Sequence, residues 1–243
     1  MLTLIRKEIR SFLGSLVGYI VIAVFLTTIG LFMWVFPGEY NVLDGGFSTI
    51  GPLFYIGPWV FMFLIPAITM RLFSEESRTG TIELLLTKPI TDFQIVLAKY
   101  IAGFSLVFFS LLPTLVYYFS VIQLGNPTGN IDVGGTWGSY FGLLFLGGVF
   151  VSIGLFASSI SNNQIISFII AVFLCFFCYA GFDSISSLEL FGAIDAFIIK
   201  LGINEHYRSM SRGVIDTRDV IYFLSVIFLF LLLTKTVLAS RKW

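Results

Sequence analysis

Six stretches of the chain are almost purely apolar and about as long as a bilayer crossing requires: residues 16–36, 52–70, 100–122, 139–160, 164–182 and 220–238. About 20 apolar residues in a helix cross a hydrocarbon layer roughly 30 Å thick. Five of the six stretches hold no charged residue, and the sixth holds only Lys235, near enough to its end for the long side chain to reach the interface. Backbone polar groups facing lipid must be satisfied within the chain, and the alternating pattern of a barrel strand is missing, so the spans are expected to be helices. The pattern predicts an all-α membrane protein with six transmembrane helices and one domain over residues 1–243.

Composition sharpens that reading. Hydrophobic residues make up 57% of the chain and charged residues 12%, against about 25% charged in an ordinary soluble domain. Twenty-eight phenylalanines stand against one histidine, which is not the make-up of a solvated surface. Cys175 and Cys178 fall inside an apolar run, where two thiols are expected to be inert and not a redox or metal pair. The first apolar stretch exceeds the 7–15 residues of a signal-peptide core and lacks a small-residue cleavage site, so it is expected to be a retained span.

The polar intervals carry the organisation. In residues 1–15, Leu2, Ile5, Ile9, Phe12 and Leu13 gather on one helical face with Leu16, and Arg6, Lys7 and Arg10 on the other. That suits a helix lying in the membrane surface, the alternative being a plain extension of the first span. Lys and Arg number three before the first span, four in residues 71–99 and three from Lys235 onward. The intervals 37–51 and 123–138 hold none, so both termini and the 71–99 interval are expected to face the cytoplasm. Lys200, Arg208, Arg212 and Arg218 then fall on the outside, against the rule. Ser186 to Glu189 has capping-box spacing, Gly202 suits a helix stop, and Leu190, Phe191, Ile194, Phe197, Ile198 and Leu201 share a face between them. An amphipathic helix in the last outer loop is therefore expected. Pro58 and Pro66 should bend the second span and Pro113 the third. Gly134, Gly138 and Gly142 allow close helix packing, within the chain or between subunits.

The interval 71–99, RLFSEESRTGTIELLLTKPITDFQIVLAK, concentrates eight of the twenty-eight charged residues between two spans. Ile82, Leu85 and Leu86 form an apolar triad beside Glu75, Glu76, Arg78 and Glu83, punctuated by Gly80 and Pro89. Thr91 and Gln94 form a capping box that opens the third span. The segment reads as a short amphipathic docking helix; the plain alternative is a solvated connection that only sets orientation. No P-loop is present, because no lysine follows a glycine. His206 stands alone without H-E-x-x-H, no G-x-S-x-G occurs, and the spans as bounded above contain no Asp or Glu. His206 is expected to be an ordinary solvated loop histidine. Nothing here hydrolyses ATP, peptides or esters by a known motif, and the scarcity of intramembrane charge disfavours an ion-coupled transporter.

The run Glu75 to Pro89, EESRTGTIELLLTKP, resembles the cytoplasmic loop of ABC-2 type transporter permeases, in which G-T-x-E-x-L-L precedes a proline and a lysine opens the third span. Lys99 stands at that last place. Residues 206–222, HYRSMSRGVIDTRDVIY, look like the segment before that family's final span, and the likeness extends over the whole chain. Within the family the chain is most similar to permeases of gliding-motility-associated transporters, with copper-enzyme maturation permeases close behind. The resemblance implies a permease subunit of a bacterial plasma (inner) membrane transporter that is not itself an enzyme. ATP and Mg would be bound by a separate ABC ATP-binding subunit, and a second permease chain, identical or related, would complete the assembly. Lipid surrounds such a protein, and nucleic acid is not a partner. The implied coupling helix comprises Glu75, Glu76, Arg78, Thr79, Gly80, Thr81, Glu83, Leu85, Lys88 and Pro89, with Arg6, Lys7 and Arg10 as a second contact. A non-transporting scaffold for motility or secretion machinery would use the same loop.

Overall fold

A computed structural model describes residues 1–86, 90–188, 192 and 195–240, with the backbone alone at 84–86 and 196. All regular structure among them is helical. Helix α1 (Leu2–Leu13) precedes α2 (Leu16–Gly30), which begins where Ser15 Oγ accepts from the Gly18 N–H and ends in a π turn, Leu31–Val35. Helix α3 (Gly51–Thr69) contains Pro58 and Pro66 and runs through a bend at Met70 into α4 (Arg71–Arg78). Gly80, at φ +70°, turns the chain into α5 (Thr81–Leu86); left-handed backbone of this kind favours glycine. Helix α6 (Asp92–Leu111) opens on the Thr91–Gln94 capping box, as expected. Pro113 breaks it into a 3₁₀ turn, Leu112–Thr114, before α7 (Leu115–Leu124). Next come α8 (Val133–Ile160), α9 (Gln164–Phe176), the π turn Phe177–Gly181 and α10 (Phe182–Ser186). Finally α11 (Asp195–Leu201) and α12 (Ile203–Ser211) lead to α13 (Thr217–Ser240).

Six helical runs are long and apolar enough to cross a membrane: Leu16–Val35, Gly51–Arg78, Asp92–Leu124, Val133–Ile160, Gln164–Ser186 and Thr217–Ser240. Each contains or overlaps one of the apolar stretches, and all but the first reach beyond them. The third begins at Asp92, eight residues before the apolar stretch does, so Lys99 is inside it, and Asp219 is inside the last. The expectation of spans nearly free of ionisable groups is thus corrected. Hydropathy marks where the chain meets lipid, whereas the helix itself continues wherever its hydrogen bonds and side chains are satisfied.

Helix α8 is the axis of the bundle. In its most apolar window 78% of residues are buried, against 28% in the first and fifth spans and 22% in the last. Small residues let neighbours approach it closely. A Cβ on Gly138 would lie 2.3 Å from the Met210 carbonyl oxygen, and one on Gly142 would lie 3.2 Å from the Tyr207 ring. The glycine stripe therefore packs on α12 of the same chain at those two positions, whereas a Cβ on Gly134 would meet Asp132 at 3.6 Å, and the Gly134 backbone closely faces Gly213.

The two poles of the bundle differ. The charged pole gathers α1, α4, α5 and the first turns of α6. The far pole gathers the connections 36–50 and 125–132 with α10, α11 and α12. There the last connection departs from expectation. Ser186 ends α10 and does not cap a following helix, while Glu189, Leu190, Phe191 and Ile194 lie outside the described residues. The helix that does stop before Gly202 is α11, and Gly202 caps the start of α12. His206 is no loop histidine. It lies in α12, with Nδ1 2.7 Å from Asp219 Oδ1 and Nε2 3.0 Å from the Lys200 carbonyl oxygen, its ring stacked on Tyr222 at 3.8 Å. That contact fastens α12 to the start of the last span.

Candidate functional site

The charged pole is built around a buried ion cluster. Lys99 lies eight residues into α6, about 10 Å from its start at 1.5 Å per residue, and its side chain is fully enclosed. Helical side chains lean toward the N-terminus, so the ammonium points back toward the charged pole. It donates to Glu76 Oε1 at 2.8 Å and to Glu8 Oε1 at 3.4 Å, and lies 5.1 Å from the centre of the Phe73 ring. Lys7 Nζ closes the cluster at 3.0 Å from Glu8 Oε1 and 3.6 Å from Glu76 Oε1. Two cations face two carboxylates, so the cluster is neutral as a whole, which is the condition for keeping charges out of water. Glu76 Oε2 is buried without a hydrogen-bond partner among the described residues. Burial opposes the Lys7 charge, but the hydrogen bond to Glu8 and the fields of Glu8 and Glu76 outweigh it and hold its pKa above the ordinary lysine value.

Three elements are tied by this cluster: α1 through Lys7 and Glu8, α4 through Glu76, and α6 through Lys99. Arg71 reinforces the tie, its guanidinium 5.4 Å from the Phe12 ring centre and 3.4 Å from Ser15 Oγ. An open cleft of about 480 Å³ runs beside the cluster between α1 and the α4–α5 turn.

A second tie joins α4 to the central helix. At the Met70 bend Ser158 Oγ of α8 accepts from the Phe73 N–H at 2.9 Å and the Ser74 N–H at 3.1 Å, and donates to the Met70 carbonyl at 2.9 Å. One hydroxyl thereby satisfies the backbone groups that the bend releases, in the role of a cap. Ser158→Ala removes the acceptor shared by two buried N–H groups. The expected cost is about 2 kcal/mol, read as a lower unfolding temperature in detergent, and Ser158→Thr is expected to recover part of it.

The residues singled out in the sequence divide into two groups here. Glu75, Arg78, Thr79, Gly80, Thr81 and Glu83 are exposed around the α4–α5 turn, and Arg6, Lys7 and Arg10 are exposed on α1. Thr79 Oγ1 donates to the Glu75 carbonyl at 2.9 Å and lies 3.0 Å from Thr81 Oγ1, which holds the turn closed. Glu76 points inward, its side chain 15% exposed. Ile82 packs on the core. The Leu85 side chain, Lys88 and Pro89 lie outside the described residues. The structure brings the two predicted contact regions together through the Lys7–Glu76 pair. Sequence reasoning missed Glu8, buried at 5% exposure. Its signal was there to read: Leu4, Glu8 and Phe12 repeat at i, i+4, i+8, which puts a carboxylate in line with two apolar residues.

An all-helical bundle with six spans, a buried charge cluster at one pole and an exposed helical turn beside it defines a multi-pass membrane protein with a polar platform at one end. The family model described as ABC-2 family transporter protein matches residues 2–239, and the chain belongs to that family. It is accordingly a membrane permease of an ABC transporter, whose ATPase resides in a partner subunit. No curated protein matches the chain.

Proposed function

We propose that the α4–α5 turn is the coupling element of this permease, seated in a cleft of the ATP-binding subunit, with the basic face of α1 as a second contact. The charged pole then faces the cytoplasm, in keeping with the ten of fourteen Lys and Arg residues that the order of spans in the sequence assigns to that side. The observation that carries the reading is the junction of an exposed turn to three helices by the Lys7–Glu8–Glu76–Lys99 cluster. A pull on the turn reaches α3 directly, α1 and α6 through the cluster, and α8 through Ser158. Movement of such a connected block between discrete packings is how a partner's closure is turned into rearrangement of spans. Glu75, Arg78, Thr79, Gly80, Thr81 and Glu83 form the contact face in this reading, with Leu85, Lys88 and Pro89 continuing it, while Glu76 transmits from within. ATP and Mg are held by the partner. A second permease chain, identical or related, completes the pathway in a bacterial inner membrane. The resemblance in residues 75–89 and 206–222 favours a gliding-motility transporter over copper-enzyme maturation.

The test is co-purification with co-expressed ATP-binding subunits, wild type against Glu75→Arg/Glu83→Arg, followed by an ATPase assay. Both side chains are exposed, so the fold is expected to survive. Capture or stimulated turnover should fall about tenfold or more. Equal capture and equal turnover would leave the turn as a solvated connection. Undiminished capture without any stimulated turnover, in wild type as in variant, would favour a membrane scaffold.

A further inference from the structure

The far pole holds a second polar feature that the coupling reading does not use. A cavity of about 640 Å³ opens there between α3, α8, α10 and α12, within the usual range for small-ligand sites of about 300–1,000 Å³. Tyr179, in the π turn Phe177–Gly181, is only 6% exposed and lines this cavity, yet its hydroxyl has no hydrogen-bond partner among the described residues. Its ring is fixed from two sides, perpendicular to Trp59 at 5.7 Å and to Phe150 at 6.3 Å. A rigid phenol with a free hydroxyl is a prepared donor, and π turns often re-aim a side chain at a functional site.

Two opposite charges flank it. Arg208 of α12 lines the cavity and makes no ion pair or hydrogen bond among the described residues. Asp183 of α10 lines it as well. Its Oδ2 accepts from the Asn204 amide, while Oδ1 has no partner among the described residues. Asp132, the remaining carboxylate of the lining, is engaged in capping α8 through the Gly135 N–H. A simple anion would meet Asp183, and a simple cation would meet Arg208. A molecule carrying both signs satisfies both, with its cationic end also open to the Trp59 ring.

We propose that this cavity binds a phosphate-bearing zwitterion of the phosphoethanolamine type, its phosphate on Arg208 and the Tyr179 hydroxyl and its ammonium on Asp183 and Trp59. The position at the ends of the spans, where headgroups and aromatic side chains meet, favours phosphate over other anions. The same chemistry is offered by a phosphatidylethanolamine headgroup and by the free compound. The site is independent of the ATPase contact, and its test needs no partner subunit.

Calorimetric titration of the delipidated full chain in detergent compares phosphoethanolamine with glycerol phosphate, which lacks the cation, and ethanolamine, which lacks the anion. Saturable binding of phosphoethanolamine alone is expected. Arg208→Gln should weaken it about tenfold and Tyr179→Phe about threefold. Asp183→Asn should reverse the preference in favour of glycerol phosphate, an exchange of selectivity that a merely destabilised fold cannot produce. In parallel, native mass spectrometry after reconstitution in equal phosphatidylethanolamine and phosphatidylglycerol reports the source. Retained phosphatidylethanolamine, lost in Arg208→Gln, identifies the lipid headgroup, and saturation by the free compound without lipid retention identifies a soluble ligand. Absence of both, or binding indifferent to Arg208→Gln and Asp183→Asn, overturns the proposal.

Discussion

Replacing Lys99 with methionine is expected to destabilise the protein by about 3–5 kcal/mol, the usual cost of breaking a buried ion pair from one side. The reason is the charge count at the charged pole. Lys99 is completely enclosed, with Glu76 at 2.8 Å and Glu8 at 3.4 Å. Without it both carboxylates must share Lys7, which is 59% exposed and 3.6 Å from Glu76. One negative charge is left uncompensated among side chains only 6% and 15% exposed. Thermal unfolding in detergent should shift downward on the order of 10 °C. Lys99→Met/Glu76→Gln removes one charge of each sign and restores neutrality, so most of the lost stability should return. The two variants separate folding from coupling. If the cluster transmits the partner's movement, the double variant folds and captures the ATP-binding subunit, yet its stimulated turnover stays low, because α4 and α6 are no longer joined. A single variant that melts within about 2 °C of wild type would show that the cluster is not held as tightly as its geometry requires.

Much of the fold was legible because membrane spans obey a one-dimensional rule. A run of about 20 residues without charge has few other uses, and the central part of each span follows from that alone. The Thr91–Gln94 box was equally legible, since both halves of its hydrogen bonding lie within four residues. What hydropathy does not encode is where a helix goes after it leaves the apolar layer. Lys99 precedes the charge-free stretch and reads as its polar border, yet tertiary contacts with α1 and α4 bury it completely. Helix α12, INEHYRSMS, is polar on average and reads as loop. Its buried side, Ile203, Tyr207 and Met210 at i, i+4, i+7, is a proper helical stripe, but only four turns of neighbouring structure reveal what it packs on. Of the candidate site, the exposed members were visible as a charged motif. The inward member, Glu76, looked the same as its neighbours, because a sequence does not say which of two adjacent glutamates meets a lysine 23 positions later.

Gly154→Ala is expected to be the most damaging single-methyl change in the bundle. A Cβ there would lie 1.9 Å from Thr69 Oγ1 and 2.8 Å from Thr69 Cβ. Thr69 is fully buried, and its hydroxyl is committed to the Ile65 carbonyl at 2.9 Å, so it has no free direction in which to turn. Helices α3 and α8 must separate instead, at a cost of about 3 kcal/mol, the upper end of overpacking penalties. The damage is directional. Thr69 immediately precedes the Met70 bend, and Ser158, one turn beyond Gly154, supplies the hydroxyl on which that bend rests. Spreading the helices at Gly154 therefore also draws Ser158 away from the Phe73 and Ser74 N–H groups, and α4 loses the support that orients the α4–α5 turn. Thr69→Ala in the Gly154→Ala background removes the 1.9 Å conflict but leaves the one at 2.8 Å, so about half of the lost stability should return. A double-mutant cycle followed by thermal unfolding reads this coupling directly. Additive effects of the two substitutions would mean that the helices do not cross as closely as Gly154 permits, and the path from the spans to the α4–α5 turn would then have to run through the ion cluster alone.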